Sequence, residues 1–459
     1  MNKFLRKTSL VLLILTSILR GPILAQDAVR LSLDDAINYA LKNTNSLKIS
    51  QNGIRDAELL IKENLATGLP QVNGEAGYNY FFLVPNILLP DFTGMGKEPT
   101  KVSFQQKNAL SAGISASQLI YSPSYNVAVR ASKLARELAK VQLSAKEIEV
   151  RNQVINVYLP ALVLTEGMKS LDNNIANLTK TLKDVTATQK AGFIEQLDVD
   201  RLQLSLANLQ TERETIERQR GSVINALKMT IGYPLDNDIA LADDINTLLK
   251  PADDTELMGK IDISKRSELA VLGTVESLNL LQLELVKASA YPTVAGFTSL
   301  TENVQANNLF KDKWNFLPSG VLGFKASINI WDSGQRKAKV ERAQLVLMNL
   351  KLQRNDVERG MTLQVMNARI AYTTGQKRLE SQQRNLALAE RIYNTTQTKY
   401  KNGVGSSLET STAEQQLYQS QFNLRSAQYD NCCTKSVANC TWKIINWWLS
   451  ILFKTKFYS

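Results

Sequence analysis

Apolar residues recur at helical spacing along most of the chain, in two successive sets of segments. Helices are predicted at about 32–66, 124–190, 194–230, 263–290, 335–400 and from 406 onward. Ser32 and Asp35 stand three residues apart before the first apolar stripe, a capping-box pattern with Asp in place of Glu. Pro160 falls inside the second helix, where it either kinks the helix or marks a break and a new start.

Weaker alternation of apolar and polar residues predicts strands between the helices. These strands lie at about 70–84, 102–121, 292–304 and 318–331. The first two are separated by an irregular loop rich in Pro and Gly, from Pro85 to Pro99. The sequence therefore predicts a mainly α protein with a small β part.

Two pairs of landmarks indicate that the chain is internally duplicated. Tyr121 and Trp331 end corresponding strands 210 residues apart, and Gly192 and Gly403 mark corresponding hairpin-tip turns 211 residues apart. The predicted organisation is a first repeat at 26–240, an acidic inter-repeat linker at 241–260 and a second repeat at 261–430.

The lengths of the helices constrain how they pack. A helix of about 65 residues is about 100 Å long, far longer than is usual in a globular domain. After Gly192, apolar residues follow a 4,3 spacing that suits helices packed side by side, interrupted by Arg213 and Arg220. Such helices form either a coiled coil or the wall of a helical tube.

Four strands from one chain are too few to close a β-barrel, which needs about eight. Open sheet edges inside a membrane would leave backbone groups unpaired, at several kcal/mol each. A membrane location therefore requires several copies of the chain to share one barrel, and the alternative is a soluble four-stranded sheet.

The formal charge of +11 is concentrated at the two ends of the chain. The first 25 and the last 29 residues each hold four basic residues and no acidic residue, which leaves 46 basic and 43 acidic residues between them. Because the body is nearly neutral, no nucleic-acid partner is predicted.

The inventory of reactive side chains excludes most catalytic chemistry. The chain has no His, and its three Cys residues, Cys432, Cys433 and Cys440, all lie near its end. Residues 1–431 therefore lack the groups that form Ser-His-Asp triads, Cys-His dyads and zinc sites. We predict no enzymatic activity, no cofactor and no metal.

Residues 1–25 have the pattern of a secretory signal peptide. Basic residues precede an apolar run from Leu10 to Leu19, and cleavage is predicted after Ala25. Ten apolar residues are too few to span a bilayer, and an uncleaved anchor is the alternative. Export of the chain is therefore predicted.

Three segments together resemble TolC-type outer-membrane efflux proteins. They are Leu31–Asn43 (LSLDDAINYALKN), Ile330–Arg336 (IWDSGQR) and Tyr400–Glu409 (YKNGVGSSLE), and the resemblance spans about 31–430. It implies a homotrimer in the lipid of the cell outer membrane, in which each chain contributes four strands to a β-barrel and long helices to a tube extending into the periplasm. It also implies docking to an inner-membrane transporter through a periplasmic adaptor (membrane fusion protein), as the exit duct of a tripartite efflux pump or a type I secretion system.

The resemblance also assigns roles to residues near the hairpin tips. Asp198 and Tyr400 match the family's gate latch, and Glu409 matches an acidic ring at the narrowest opening. Gly405 stands where the family has an Arg. From the residues alone, the alternative is that Asp198 and Glu409 are solvated acids near helix N-termini, where the helix dipole favours them.

The last residues, 431–459, depart from the repeat. At an offset of 211 they should resemble the end of the first repeat, but they contain all three Cys residues and three Trp residues. We interpret this tail as a non-native sequence, such as the product of a shifted reading frame. The alternative is a genuine membrane-associated extension.

Two other classes of protein share some of these features. A secreted coiled-coil scaffold would explain the helices but would not explain the paired strands and the duplication. A periplasmic adaptor would have a single helical hairpin flanked by β-rich modules.

Overall fold

A computed structural model of the chain describes residues 29–90, 100–245, 263–308 and 311–455, with side chains of the last helix described as far as Cys432. The helices are α1 (Leu33–Asn43), α2 (Asn45–Ala66), α3 (Pro123–Lys190), α4 (Gln196–Ile231), α5 (Ser267–Ala288), α6 (Gln335–Lys401) and α7 (Ser407–Thr455). The strands are β1 (Val29–Leu31), β2 (Gln71–Tyr80), β3 (Ile87–Leu89), β4 (Thr100–Val102), β5 (Asn108–Tyr121), β6 (Ile239–Leu241), β7 (Thr293–Ala306) and β8 (Asn315–Ser327). The predicted fold class, mainly α with a small β part, is confirmed.

The first predicted helix is in fact two helices. Thr44 has an extended backbone, with φ −64° and ψ 127°, so α1 ends before it and α2 begins after it. The Thr44 N–H and its hydroxyl both donate to the Ala40 carbonyl, at 2.9 Å and 2.6 Å, and so satisfy a free carbonyl at the end of α1. Apolar periodicity continues across this break, which is why the sequence alone did not reveal it.

The predicted capping box at the start of α1 is present. The Ser32 hydroxyl accepts from the Asp35 N–H, and the Asp35 carboxylate accepts from the Ser32 N–H. The Ser32 hydroxyl also donates to the Asp35 carboxylate. This bond first, and then the bond from the Ser32 N–H, holds the pKa of Asp35 below its usual value.

Pro160 lies within one continuous helix, α3, so the alternative of a break with a new start is wrong. The helix persists there because its other face is well packed. Tyr158 and Leu162 on either side of the proline are fully buried. Buried packing of this kind outweighs the one backbone hydrogen bond that a proline removes.

The chain divides into two compact units. The hairpin unit comprises Met1–Gln51, Leu143–Leu269 and Val357–Ser459, and the sheet unit comprises Asn52–Gln142 and Ala270–Asp356. Each unit draws on both halves of the sequence, because the long helices α3 and α6 each contribute to both.

A short parallel sheet of β1 and β6 organises the core of the hairpin unit. This pairing was not predicted from the sequence. The side chains of Ile37, Leu162, Ile231 and Ile245 pack in the same buried cluster. Ile245 lies beyond β6 in the predicted linker, so this part of the linker contributes to the core.

The buried hydroxyl of Tyr158 joins three segments of this core. It donates to the Leu31 carbonyl and to the Asp243 carboxylate, both at 2.9 Å. Asp243 also accepts from the Leu33 N–H at the start of α1, at 2.7 Å. Burial first, and then the hydrogen bond to Asp243, raises the pKa of Tyr158 far above its usual value.

Removing this hydroxyl should weaken the hairpin unit. We expect Tyr158→Phe to lower the free energy of unfolding by about 1–3 kcal/mol, because the half-buried Asp243 carboxylate and the Leu31 carbonyl each lose a donor. Thermal unfolding of the purified chain measures the change. Tyr39→Phe is the control, because the Tyr39 ring packs on Tyr233 with centroids 5.5 Å apart and its hydroxyl has no hydrogen-bond partner among the described residues. An equal loss in both variants would contradict the role of the Tyr158 hydroxyl.

The sheet unit holds one antiparallel sheet with the strand order β2-β5-β7-β8. All four strands that the sequence predicts are found in it. In the described part of the chain, β2 and β8 each pair on one side only, so both are edge strands. A separate antiparallel pair consists of β3, inside the predicted Pro- and Gly-rich loop, and β4, which begins directly after that loop. The long strand predicted at 102–121 therefore begins later, at Asn108.

Several predicted segments lie outside the described residues. These are the signal peptide at 1–25, most of the linker at 241–260 and part of the loop before Thr100. The backbone of α7 continues through most of the tail to Thr455, and the side chains of the tail beyond Cys432 lie outside the description.

Candidate functional site

One face of the four-stranded sheet is apolar. Directly paired residues of neighbouring strands point to the same side, so the register identifies the members of each face. This face carries Val72, Ala76, Tyr78, Tyr80, Leu110, Ala112, Ile114, Ala116, Leu300, Val304, Phe316, Leu322 and Phe324. Glu302 is its charged exception, and Asn108, Gln118 and Thr298 are its uncharged polar exceptions. Most of the large side chains are exposed; Leu322 is 82% and Phe324 is 79% exposed.

The opposite face of the same sheet is polar. It carries Gln71, Asn73, Glu75, Asn79, Ser111, Ser115, Ser117, Ser299, Thr301, Asn303, Gln305, Ser319 and Lys325. Leu119, Phe297, Leu317 and Val321 are its larger apolar exceptions. A sheet with one apolar and one polar face, on both of which most large side chains are exposed among the described residues, can separate a hydrocarbon phase from water.

A β-bulge places an aromatic residue at one end of the apolar face. Leu119 pairs with Ala295 but Tyr121 pairs with Val294, so two residues of β5 oppose one residue of β7. Without the bulge, alternation would turn Tyr121 to the polar face. With it, Tyr121 joins Val294 on the apolar face, where an aromatic residue suits a membrane interface.

The two hairpin tips of the hairpin unit have the same backbone geometry. Gly192 after α3 and Gly403 after α6 are both left-handed, with φ of 83° and 74°. In each tip the glycine N–H bonds three residues back, at 2.8 Å and 3.0 Å, and the next N–H bonds five residues back, at 3.2 Å and 3.0 Å. This is the Schellman arrangement, which requires a residue that tolerates positive φ.

The acidic residues that follow the turns also occupy equivalent positions. Asp198 is the third residue of α4 and Glu409 is the third residue of α7, 211 residues apart like the two glycines. The Glu409 N–H donates to the hydroxyl of Ser406 at 3.2 Å, so Ser406 caps α7. The Glu409 carboxylate is exposed and has no hydrogen-bond or ion-pair partner among the described residues.

Asp198 is held by a residue that the sequence did not single out. The buried Ser407 hydroxyl donates to the Asp198 carboxylate and accepts from an Nη of Arg201 at 3.2 Å. The hydroxyl thereby links the start of α7 to the start of α4. The only signal in the sequence was the position of Ser407 directly after the second turn, which is too common to single it out.

The predicted hydrogen bond between Asp198 and Tyr400 is not formed within the chain. The Tyr400 hydroxyl is buried without a hydrogen-bond partner, and its ring packs against the cluster that contains Val185 and Leu202. Asp198 is still near enough to affect it. Burial, and then the negative charge of Asp198, raises the pKa of Tyr400 above its usual value.

A second carboxylate in the hairpin unit is buried between two tyrosines. Glu414 on α7 is 3% exposed and accepts from the Tyr418 hydroxyl at 2.5 Å. Burial raises the pKa of Glu414, and the Tyr418 hydrogen bond opposes this shift. Burial and the charge of Glu414 also raise the pKa of Tyr393 on α6. Nothing in the local sequence distinguishes Glu414 from the other acids of α7.

Glu414 should make the stability of the chain depend on pH. Its pKa is higher in the folded chain than in the unfolded chain, so the folded chain binds more protons and loses stability as pH rises through the ordinary carboxyl range. We expect Glu414→Gln to melt at a higher temperature than the wild type at pH 7, with the difference vanishing near about pH 4. Glu409→Gln, an exposed acid on the same helix, serves as the control. A difference in melting temperature between wild type and Glu414→Gln that stays constant from pH 4 to pH 7 would contradict this expectation.

Part of the second half of the chain matches a known protein family. Residues 279–431 match the outer membrane efflux protein family. The match contains β7, β8 and α6, and includes two of the three motifs that suggested the family, at 330–336 and 400–409. The resemblance inferred from the sequence is thereby confirmed. No curated protein matches the chain.

Solved structures of outer-membrane proteins share this fold. VceC of Vibrio cholerae has a TM-score of 0.65 at 14% identity, over 89% of this chain and 94% of that chain. CusC has a TM-score of 0.68 at 16% identity, over 91% and 95%. The outer membrane channel MtrE of Neisseria gonorrhoeae has a TM-score of 0.66 at 16% identity, over 89% and 88%. At these identities the likeness establishes the fold alone.

Proposed function

We propose that the protein is an outer-membrane channel that passively conducts its cargo out of the cell. The observation that carries this proposal is the sheet with one apolar face, one polar face and two unpaired edges. In water the apolar face would be an aggregation surface, and in a membrane the edges must be paired. A barrel shared by several copies satisfies both requirements.

We propose that three copies form this barrel. Four strands from each of three chains give twelve, above the roughly eight strands that fill a barrel with side chains. β5, β7 and β8 have 13 or 14 residues, enough for a tilted strand to cross a bilayer, which takes about 9–11. The β8 edge of one chain would pair with the β2 edge of the next.

The long helices would form the wall of a tube in the periplasm. One helix of the described chain, α5 (Ser267–Ala288), is long and apolar enough to cross a membrane by length and composition. Its acidic residues favour a place in the helical wall instead. Glu284 pairs with Arg130 of α3 at 2.7 Å, and Glu276 pairs with Arg354 of α6 at 3.6 Å.

A passive channel has no energy source of its own, so we propose that it works with partner proteins. An inner-membrane transporter would drive the cargo and a periplasmic adaptor would join it to the tube, in a tripartite efflux pump or a type I secretion system. The chain would carry out no chemistry itself. The matched tips, with left-handed Gly192 and Gly403 and with Asp198 and Glu409 in equivalent positions, support the proposal that the chain is two repeats.

We propose that the two tips form the gate of the tube. Asp198, held through Ser407, would latch the tips together, and Tyr400 would support the latch through the packing of its ring. The exposed Glu409 of each copy would contribute to an acidic ring at the opening, which would attract cations.

Cell fractionation and bilayer recording test the proposal. The protein should partition with the outer membrane, migrate as a trimer on an unheated gel and form channels in planar bilayers. A soluble monomer, or a location in the inner membrane, would refute it.

A further inference from the structure

A cavity of about 480 Å³ lies between the C-terminal end of α5 and the N-terminal end of α6, within the sheet unit. Its size is within the range of about 300–1,000 Å³ that is usual for small-molecule sites. Three basic side chains line it: Lys287 from α5, and Arg336 and Lys337 from α6. Asp332 and Glu341 also line it, so the basic residues outnumber the acidic ones.

The three cations of this cavity are unpaired. Among the described residues, Lys287, Arg336 and Lys337 make no ion pair and their side chains make no hydrogen bond. Arg130 differs from these three basic residues, because it forms an ion pair with Glu284, one turn before Lys287 on α5. Three unpaired cations around one cavity repel one another, and an anion that fills the cavity would remove this repulsion.

One of the two acids that line the cavity is already engaged by the backbone. The Asp332 carboxylate accepts from the Gly334 N–H at 3.2 Å and from the Arg336 N–H at 3.1 Å. It therefore caps the start of α6 and does not pair with the Arg336 guanidinium. With Asp332 engaged, Glu341 is the one other acid in the lining, and three basic side chains face it. The lining therefore keeps an excess of positive charge for a ligand from outside the chain.

Two of the residues that line the cavity, Ala290 and Asp332, lie close in sequence to the ends of β7 and β8. β7 begins three residues after Ala290, and β8 ends five residues before Asp332. Tyr291, Ile330 and Trp331 beside the cavity are 61%, 85% and 84% exposed. Exposed aromatic residues at the ends of membrane strands mark the level of the lipid headgroups.

We propose that this cavity binds the phosphate of a phospholipid headgroup in the periplasmic leaflet of the outer membrane. Lys287, Arg336 and Lys337 bind the phosphate, and the exposed Ile330 and Trp331 contact the adjoining acyl chains. This site rests on the proposed membrane location of the sheet. It would anchor the junction of β7 and β8 with α5 and α6 at a fixed depth in the bilayer.

Native mass spectrometry of the intact channel in detergent tests the site, with phosphatidylglycerol as the probe. The variant Lys287→Gln, Arg336→Gln, Lys337→Gln should bind the lipid about 100-fold more weakly than the wild type, because each basic residue contributes to binding an anionic lipid. The matched control is Lys339→Gln, Arg342→Gln, which removes basic residues from α6 that do not line the cavity. The charge-keeping variant Lys287→Arg, Lys337→Arg should retain the lipid.

The outcomes separate this site from the channel itself. Equal lipid loss in the cavity variant and the control variant would overturn the proposal, as would inorganic phosphate displacing the lipid at equal concentration, since the site would then bind a free anion. Wild-type channels that conduct in planar bilayers but retain no lipid would overturn the lipid site and leave the channel function standing. A wild type that neither conducts nor inserts into membranes would refute both.

Discussion

Arginine at position 114 should prevent assembly of the channel in the membrane. Ile114 is in the middle of β5 on the apolar face, where it pairs with Gly74 and Leu300 and is 62% exposed. A basic residue that faces lipid at the bilayer midplane costs about 2–4 kcal/mol, and this penalty would apply to each copy. We therefore expect Ile114→Arg to abolish the trimer band on an unheated gel of outer membranes.

The neighbouring residue provides the control for this experiment. Ser115 is on the polar face, paired with Asn73 and Ser299, so an arginine there would face the water-filled lumen. Ser115→Arg should assemble like the wild type and reduce the conductance to cations. Assembly of Ile114→Arg at the wild-type level would contradict a lipid-facing position. Equal failure of both variants would show that strand β5 tolerates no arginine on either face.

Replacing Ser407 should open the gate. The Ser407 hydroxyl donates to the Asp198 carboxylate, and a hydrogen bond to a charged group contributes about 1.5–3 kcal/mol. Over three copies this amounts to about 5–9 kcal/mol, and about 5.5 kcal/mol is enough to move a two-state gate from 1:99 to 99:1. We expect Ser407→Ala and Asp198→Ala each to raise single-channel conductance in planar bilayers.

Tyr400→Phe is the matched control for the gate. The Tyr400 hydroxyl has no hydrogen-bond partner among the described residues, so its removal should leave the conductance unchanged. If Tyr400→Phe raises the conductance and Ser407→Ala does not, the closed gate is held by the Asp198–Tyr400 contact that the family resemblance implies. The two variants together therefore decide which residue binds Asp198 in the closed state.

The secondary structure followed closely from the sequence, because it depends on local patterns. The helix predicted to end near residue 66 ends at Ala66, and positive φ at Gly192 and Gly403 explains why glycine occupies those turns. The break at Thr44 was missed because a change in one residue's backbone angles leaves the apolar periodicity unchanged.

The candidate site was only partly predictable. The common offset of 211 residues relates Asp198 to Glu409 as well as Gly192 to Gly403, and could have been read from the sequence. The contact between Asp198 and Ser407 joins residues 209 positions apart, so it depends on how two hairpins pack. The burial of Glu414 likewise depends on packing, since nothing in its local sequence distinguishes it from exposed Glu409.

The sequence by itself determined the helices, the strands, the two turns and the absence of His and Cys from residues 1–431, because each of these follows from composition or short-range periodicity. Only the tertiary structure decided the strand order, the bulge that turns Tyr121 to the apolar face, the pairing of β1 with β6 and the partner of Asp198. These features join residues far apart in the chain, and the register between distant strands and helices is set by packing rather than by local sequence.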